Sequence, residues 1–193
     1  MIFVPSILAF GVIVAAYVNL GAKLATLRHD GVLKRIRTTP LPAGAYLSGV
    51  LGSTAATTLA ITASTAAIGW LAFGAAPRPA GLAEIAGGLA LGVVCFGSLG
   101  LTLSSVARSA ESASPIANAS YLPVAIMSGI FDPTFSVPRW LSVAVGLLPV
   151  RALAQILQQG YTPVEHAPLS DLLVLAGWAV GGCALAVWRF RWN

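Results

Sequence analysis

Few side chains in this sequence could do chemistry, and they sit in three places. Tyr17 and Asn19 interrupt a first apolar block, and Asn118, Ser120 and Tyr121 interrupt a later one. Residues 28–42, RHDGVLKRIRTTPLP, carry four of the eleven Lys and Arg. Hydroxyls and amides inside apolar blocks can hydrogen-bond either a ligand or a neighbouring helix, and both readings stand for Asn118 and Ser120. Catalysis needs titratable groups brought together. No acid or base lies within the apolar blocks, so neither a proton relay nor an ion-coupled relay is expected. His29 and His166 lie in separate loops without metal-ligand spacing. No G-x-x-x-x-G-K-[ST] string occurs, so any nucleotide must be bound elsewhere. No catalytic set, metal or cofactor is therefore expected in this chain. Cys95 and Cys183, each deep in an apolar run, read as small buried hydrophobes rather than a disulfide framework.

Composition sets the surroundings of these groups. The 193 residues are 57% hydrophobic and only 9% charged, with a mean hydropathy of +0.85. Soluble domains carry about a quarter charged residues, so the solvent of this chain is lipid. The net charge of +5 lies between apolar blocks rather than on one solvated face, which argues against a nucleic-acid partner.

A helix crosses the hydrocarbon with about 20 mainly apolar residues. Intervals between charges then predict five spans, at about 3–23, 44–74, 85–107, 112–131 and 171–189. The fold expected is an all-α, polytopic single transmembrane domain covering 1–193. The segment 138–160 is apolar too, but Pro149 and Arg151 divide it into two pieces of about ten residues, each too short to span. It reads as a re-entrant hairpin whose break needs protein around it. Eight of the eleven Lys and Arg fall on the side of residues 28–42, of Arg108 and of the C-terminus. That bias places this side in the cytoplasm and the N-terminus outside.

Residues 30–38 form a short amphipathic helix on a wheel of 100° per residue. Val32, Leu33 and Ile36 share one edge, and Lys34, Arg35 and Arg37 occupy the rest. Asp30 is its expected N-cap, and Pro40 and Pro42 end it. Physics leaves two readings. The helix is either a positive-inside anchor at the headgroups or a docking helix whose apolar edge enters a cleft of a cytoplasmic partner.

The string GVLKRIRTTPLPAGAYLSG resembles the first cytoplasmic loop of ABC-2 type transporter permeases. GSLGLTLSSVARSAESASPIANASYLPVAIMSGIFDP resembles that family's fourth helix, cytoplasmic turn and fifth helix, and VPRWLSVAVGLLPVRALAQILQQG resembles its extracellular re-entrant hairpin. The likeness runs over nearly the whole chain and is strongest to drug-export permeases of the daunorubicin-resistance kind. Family members begin with a cytoplasmic amphipathic helix and a first membrane helix, whereas this sequence starts at the equivalent of the second. A shortened gene, a downstream start or a second chain would account for the difference.

The resemblance implies a permease subunit of a bacterial plasma-membrane exporter, with a separate ABC ATPase binding ATP and Mg. It also implies a homodimer or a pairing with a second permease chain. Asp30, Gly31, Val32, Leu33, Lys34, Arg35, Ile36, Arg37 and Pro40 would dock the ATPase, with Arg108 and Glu111 as a second contact. Tyr17, Asn19, Asn118, Ser120 and Tyr121 are the candidates for a groove taking an amphipathic or lipid-like substrate. A non-transporting scaffold or assembly partner of such a transporter is the alternative.

Overall fold

The computed structural model describes residues 3–31, 43–107, 110–130, 139–162 and 169–189. Among these the chain is helical and contains no strand. We label the helices α1 (Phe3–His29), α2 (Ala43–Phe73), α3 (Leu82–Val106), α4 (Ala110–Met127), α5 (Arg139–Gly146), α6 (Pro149–Tyr161) and α7 (Leu169–Arg189). Four stretches are long and apolar enough to cross a membrane: Phe3–His29, Ser48–Phe73, Pro79–Ser105 and Leu169–Ala186. This is an all-α, multi-pass membrane protein.

The expected first span at 3–23 is too short. Helix α1 runs past Lys23 to His29 because Lys23 is exposed and its stem can carry the charge outward. Asp30 then stands at the C-terminal cap of α1. Its φ and ψ of −72° and −1° are helical, and its N–H bonds the Thr26 carbonyl at 2.9 Å. Gly31 follows at φ 69°, the left-handed exit that terminates helices. The remainder of the expected docking helix lies outside the described residues. At 112–131 the structure has α4, whose 18 residues include Glu111, Pro115, Asn118 and Pro123. Those residues lower its apolarity, and α4 is not among the four stretches above.

Helix α1 is the hub. Leu8, Ala9, Val12, Ile13 and Ala16 are fully or nearly fully buried, and they meet α6 and α3. The segment 138–160 forms α5 and α6, with Pro149 opening α6 at the position where its missing N–H costs nothing. Helix α6 has 13 residues, about 20 Å. That is too short to span, and its backbone is sheltered by protein. Leu153 and Leu157 are fully buried. Gly88 and Gly92 of α3 face Ile156 and Leu153, so this glycine pair packs within the chain. Gly177 and Gly181 of α7 have nothing within reach of a Cβ; Gly182 packs on Ser98 instead.

Helix α2 packs mainly on α1 and turns most of its surface outward. Thr54, Thr58 and Thr62 form its buried stripe, each hydroxyl donating to the carbonyl four residues back at 2.8–2.9 Å. Local bonding lets these hydroxyls enter an apolar interface at small cost. Leu59, Ile68, Trp70, Leu71 and Phe73 are exposed on the other side, as a lipid-facing helix requires.

Candidate functional site: a polar corner in an apolar cavity

Halfway along α1, residues Val14–Asn19 form a π-helical turn. Such turns are rare and recur at functional sites. Tyr17 lies in it, about 20 Å from either end of α1. Here α3 approaches very closely: a Cβ on Gly100 would stand 2.8 Å from the Ala16 carbonyl oxygen and 3.0 Å from that of Tyr17. Only glycine fits at this crossing.

From this turn Tyr17 reaches α4. Its hydroxyl lies 2.7 Å from Ser120 Oγ, and its ring meets that of Tyr121 edge-on with centroids 6.4 Å apart. Tyr121 is 7% exposed and also leans on Phe10 at 6.0 Å. Three of the five polar residues singled out in the apolar blocks therefore converge. The other two do not. Asn19 and Asn118 are exposed and away from this cluster. Helix geometry explains the split, since residues two apart on a helix point roughly 200° apart.

Tyr17, Ser120 and Tyr121 form one wall of a cavity of about 400 Å³. Phe96, Leu99, Thr102 and Leu103 of α3 also line it. Leu148, Pro149 and Val150 at the start of α6 close one end. Trp178 of α7 completes the wall, donating its indole N–H to the Leu147 carbonyl at 2.8 Å. A second cavity, of about 460 Å³, lies beyond Leu99 and Trp178, which border both. The first cavity has the size and make-up of a small-molecule site: apolar and aromatic walls with a few convergent polar groups. Phe96, Thr102 and Trp178 were not singled out from the sequence. A tryptophan in an otherwise aliphatic stretch was the one available signal.

At one end of the bundle, Arg28 donates to the Ser104 carbonyl at 3.5 Å, and Asp30 and Glu111 are exposed. Gly31 lies beside them at the exit of α1. Val32, Leu33, Lys34, Arg35, Ile36, Arg37, Pro40 and Arg108 lie outside the described residues.

At the other end the α2–α3 connection is tied to α6. Arg78 donates its backbone N–H to the Gly160 carbonyl at 2.9 Å and its guanidinium to the Gln159 carbonyl at 2.6 Å. These are among the last carbonyls of α6, which have no intrahelical partner. A cation there also meets the negative end of the helix dipole. Glu84 Oε2 stands 3.8 Å from the guanidinium, near enough for an ion pair, yet it accepts no hydrogen bond among the described residues.

Among known families, the model described as ABC-2 type transporter matches residues 1–161, which is α1 through α6. No curated protein is similar enough to match.

Proposed function

The chain belongs to the ABC-2 type transporter family, and from that premise we propose that it forms the membrane pathway of an exporter for an amphipathic or apolar molecule. Membership makes it the permease component of an ABC transporter, a transport subunit that pairs with an ABC ATPase. The rest is our reading. The substrate is a drug, an antibiotic or a lipid-like compound. ATP and Mg bind the partner, and closure of the ATPase dimer shifts a two-state equilibrium in the permease. Residues 30–40 dock the ATPase, with Val32, Leu33 and Ile36 inserted and Lys34, Arg35 and Arg37 at the rim. Arg108 and Glu111 touch it second. Two copies, or this chain and a second permease, face each other in a bacterial plasma membrane, with the N-terminus outside and the C-terminus in the cytoplasm.

One observation carries the reading of the ligand site. Tyr17, Ser120 and Tyr121, from two helices, meet on a cavity of about 400 Å³ near the middle of α1, where polar groups are costly. The test is ATP turnover by the complete transporter in nanodiscs while apolar ligands are titrated. Ligands should stimulate turnover in the wild type, and Leu103→Trp, which narrows the cavity, should remove the stimulation. Turnover indifferent to every ligand would favour the scaffold reading instead.

A further inference from the structure

The side-chain hydrogens around this cavity can be assigned one by one, and the assignment says what kind of ligand fits beside Tyr17 and Ser120. A serine hydroxyl has one hydrogen and two lone pairs. Ser120 Oγ lies 2.6 Å from the Ala117 carbonyl, which can only accept, so the Ser120 hydrogen is committed there. The 2.7 Å contact between Ser120 Oγ and the Tyr17 hydroxyl then leaves one arrangement: Tyr17 donates and Ser120 accepts. Thr102 gives its hydrogen to the Ser98 carbonyl at 3.0 Å, and Trp178 gives its N–H to Leu147. Four polar side chains of the cavity have thus committed their hydrogens to the protein. Tyr121 holds the remaining hydroxyl of the wall, and it has no hydrogen-bond partner among the described residues.

We propose that the Tyr17–Ser120 pair presents only lone pairs to the cavity, so that it selects ligands whose polar end donates a hydrogen bond. This deepens the reading of the cavity as the ligand site and rests on it. The ligand class is an apolar, ring-sized body carrying a hydroxyl or an amine, rather than an ether, ester or carboxylate. In an apolar wall an unmet acceptor on the ligand keeps its full desolvation cost, while a donor finds the Tyr17 oxygen waiting. The Tyr121 hydroxyl can turn either way and is the route by which a weaker acceptor ligand is tolerated. The selection is a property of a chain of bonds: Ala117 holds Ser120, Ser120 holds Tyr17, and Tyr17 faces the ligand. Removing the middle link releases the Tyr17 hydrogen and should change the preference rather than simply weaken binding.

The experiment uses the full chain in nanodiscs and three probes on one body: 2-(1-naphthyl)ethanol, its methyl ether, and 1-ethylnaphthalene. Affinities are measured by equilibrium binding for the wild type, Tyr17→Phe and Ser120→Ala. The readout is the alcohol-to-ether affinity ratio relative to that in Tyr17→Phe, because partition into lipid cancels in that comparison. The wild type should favour the alcohol by roughly three- to tenfold over Tyr17→Phe. In Ser120→Ala the preference should collapse through a gain in ether affinity. Equal ratios in all three proteins, with ethylnaphthalene still bound and displaced by Leu103→Trp, would overturn the inference and leave the cavity reading intact. Failure of all three probes to bind at the cavity in any form would overturn both.

Discussion

Gly81 and Gly160 meet backbone to backbone: a Cβ on Gly81 would stand 2.7 Å from the Gly160 Cα. This contact, with the Arg78 N–H on the Gly160 carbonyl at 2.9 Å, fastens the α2–α3 connection to the end of α6. A backbone cannot move aside as a side chain can. Gly81→Ala should therefore cost about 1–3 kcal/mol by overpacking. Gly87→Ala, on the open side of α3 where a Cβ meets nothing, should be neutral or stabilising by up to about 1 kcal/mol. Thermal unfolding of the two variants in the same detergent checks the contrast, and equal melting temperatures would contradict it.

The same junction separates two roles of charge. The Arg78 guanidinium binds a helix-end carbonyl at 2.6 Å, whereas its approach to Glu84 at 3.8 Å brings no hydrogen bond. Arg78→Ala should cost about 1 kcal/mol after allowance for partial exposure, and should raise amide exchange in the last turn of α6. Glu84→Gln should change stability by less than about 0.5 kcal/mol. Exchange in α6 that is unmoved by Arg78→Ala would show that the cap is not needed.

Trp178 divides two cavities, and its N–H is anchored on the Leu147 carbonyl. Trp178→Phe keeps most of the ring but loses the anchor, at about 0.5–1.5 kcal/mol. Trp178→Ala removes the wall itself. The two spaces, about 400 and 460 Å³, should then accept larger ligands than the wild type does. A ligand series of increasing ring count, measured by equilibrium binding, tests this; the size limit should rise in Trp178→Ala and stay put in Trp178→Phe.

How far the sequence spoke for itself depended on whether a feature was local. Apolar intervals between charges locate helices because the bilayer imposes length and composition, and Pro149 marks the start of α6 because its ring forbids an interior position. Tyr17, Ser120 and Tyr121 stood out because polar groups at that depth are expensive. The π turn over VAAYVN left no mark, since nothing in those six residues distinguishes it from α-helix. It coincides with the close approach of Gly100 on another helix, which cannot be read from α1 alone. The role of Arg78 left no mark in the sequence because its partners, Gln159 and Gly160, are 81 and 82 residues away and are carbonyls, which every residue has. Asp30, expected at the start of the next segment, also ends α1, a role fixed by its own dihedrals and by Gly31 at φ 69° after it.

The docking of residues 30–40 on an ATPase can be examined with paired substitutions. If the proposed edge enters a cleft, Leu33→Asp and Ile36→Asp each put a charge there, and should abolish co-purification of the ATPase while membrane insertion is retained. Arg35→Ala removes a rim charge and should weaken the complex only a few-fold. Unchanged recovery of the ATPase with both aspartate variants would refute the docking edge. Complete loss with Arg35→Ala would mean that this charge is buried in the contact.

Gly100 links the fold to the cavity most directly. Its missing Cβ lets α3 lie against the carbonyls of Ala16 and Tyr17, in the same π turn that sets Tyr17 2.7 Å from Ser120. Gly100→Ala must push α3 away from α1 by some tenths of an ångström, because the obstacle is again backbone, and this should cost about 1–3 kcal/mol. The same shift moves Tyr17 relative to α4 and changes a hydrogen bond whose strength depends on distance and angle. The variant should therefore lose alcohol-over-ether discrimination as Tyr17→Phe does, although every cavity side chain is still present. Stability and ligand preference measured on one preparation separate the causes. A protein that is destabilised but still discriminates would show that the Tyr17–Ser120 bond survives without the close crossing, and that the π turn is held by something other than Gly100.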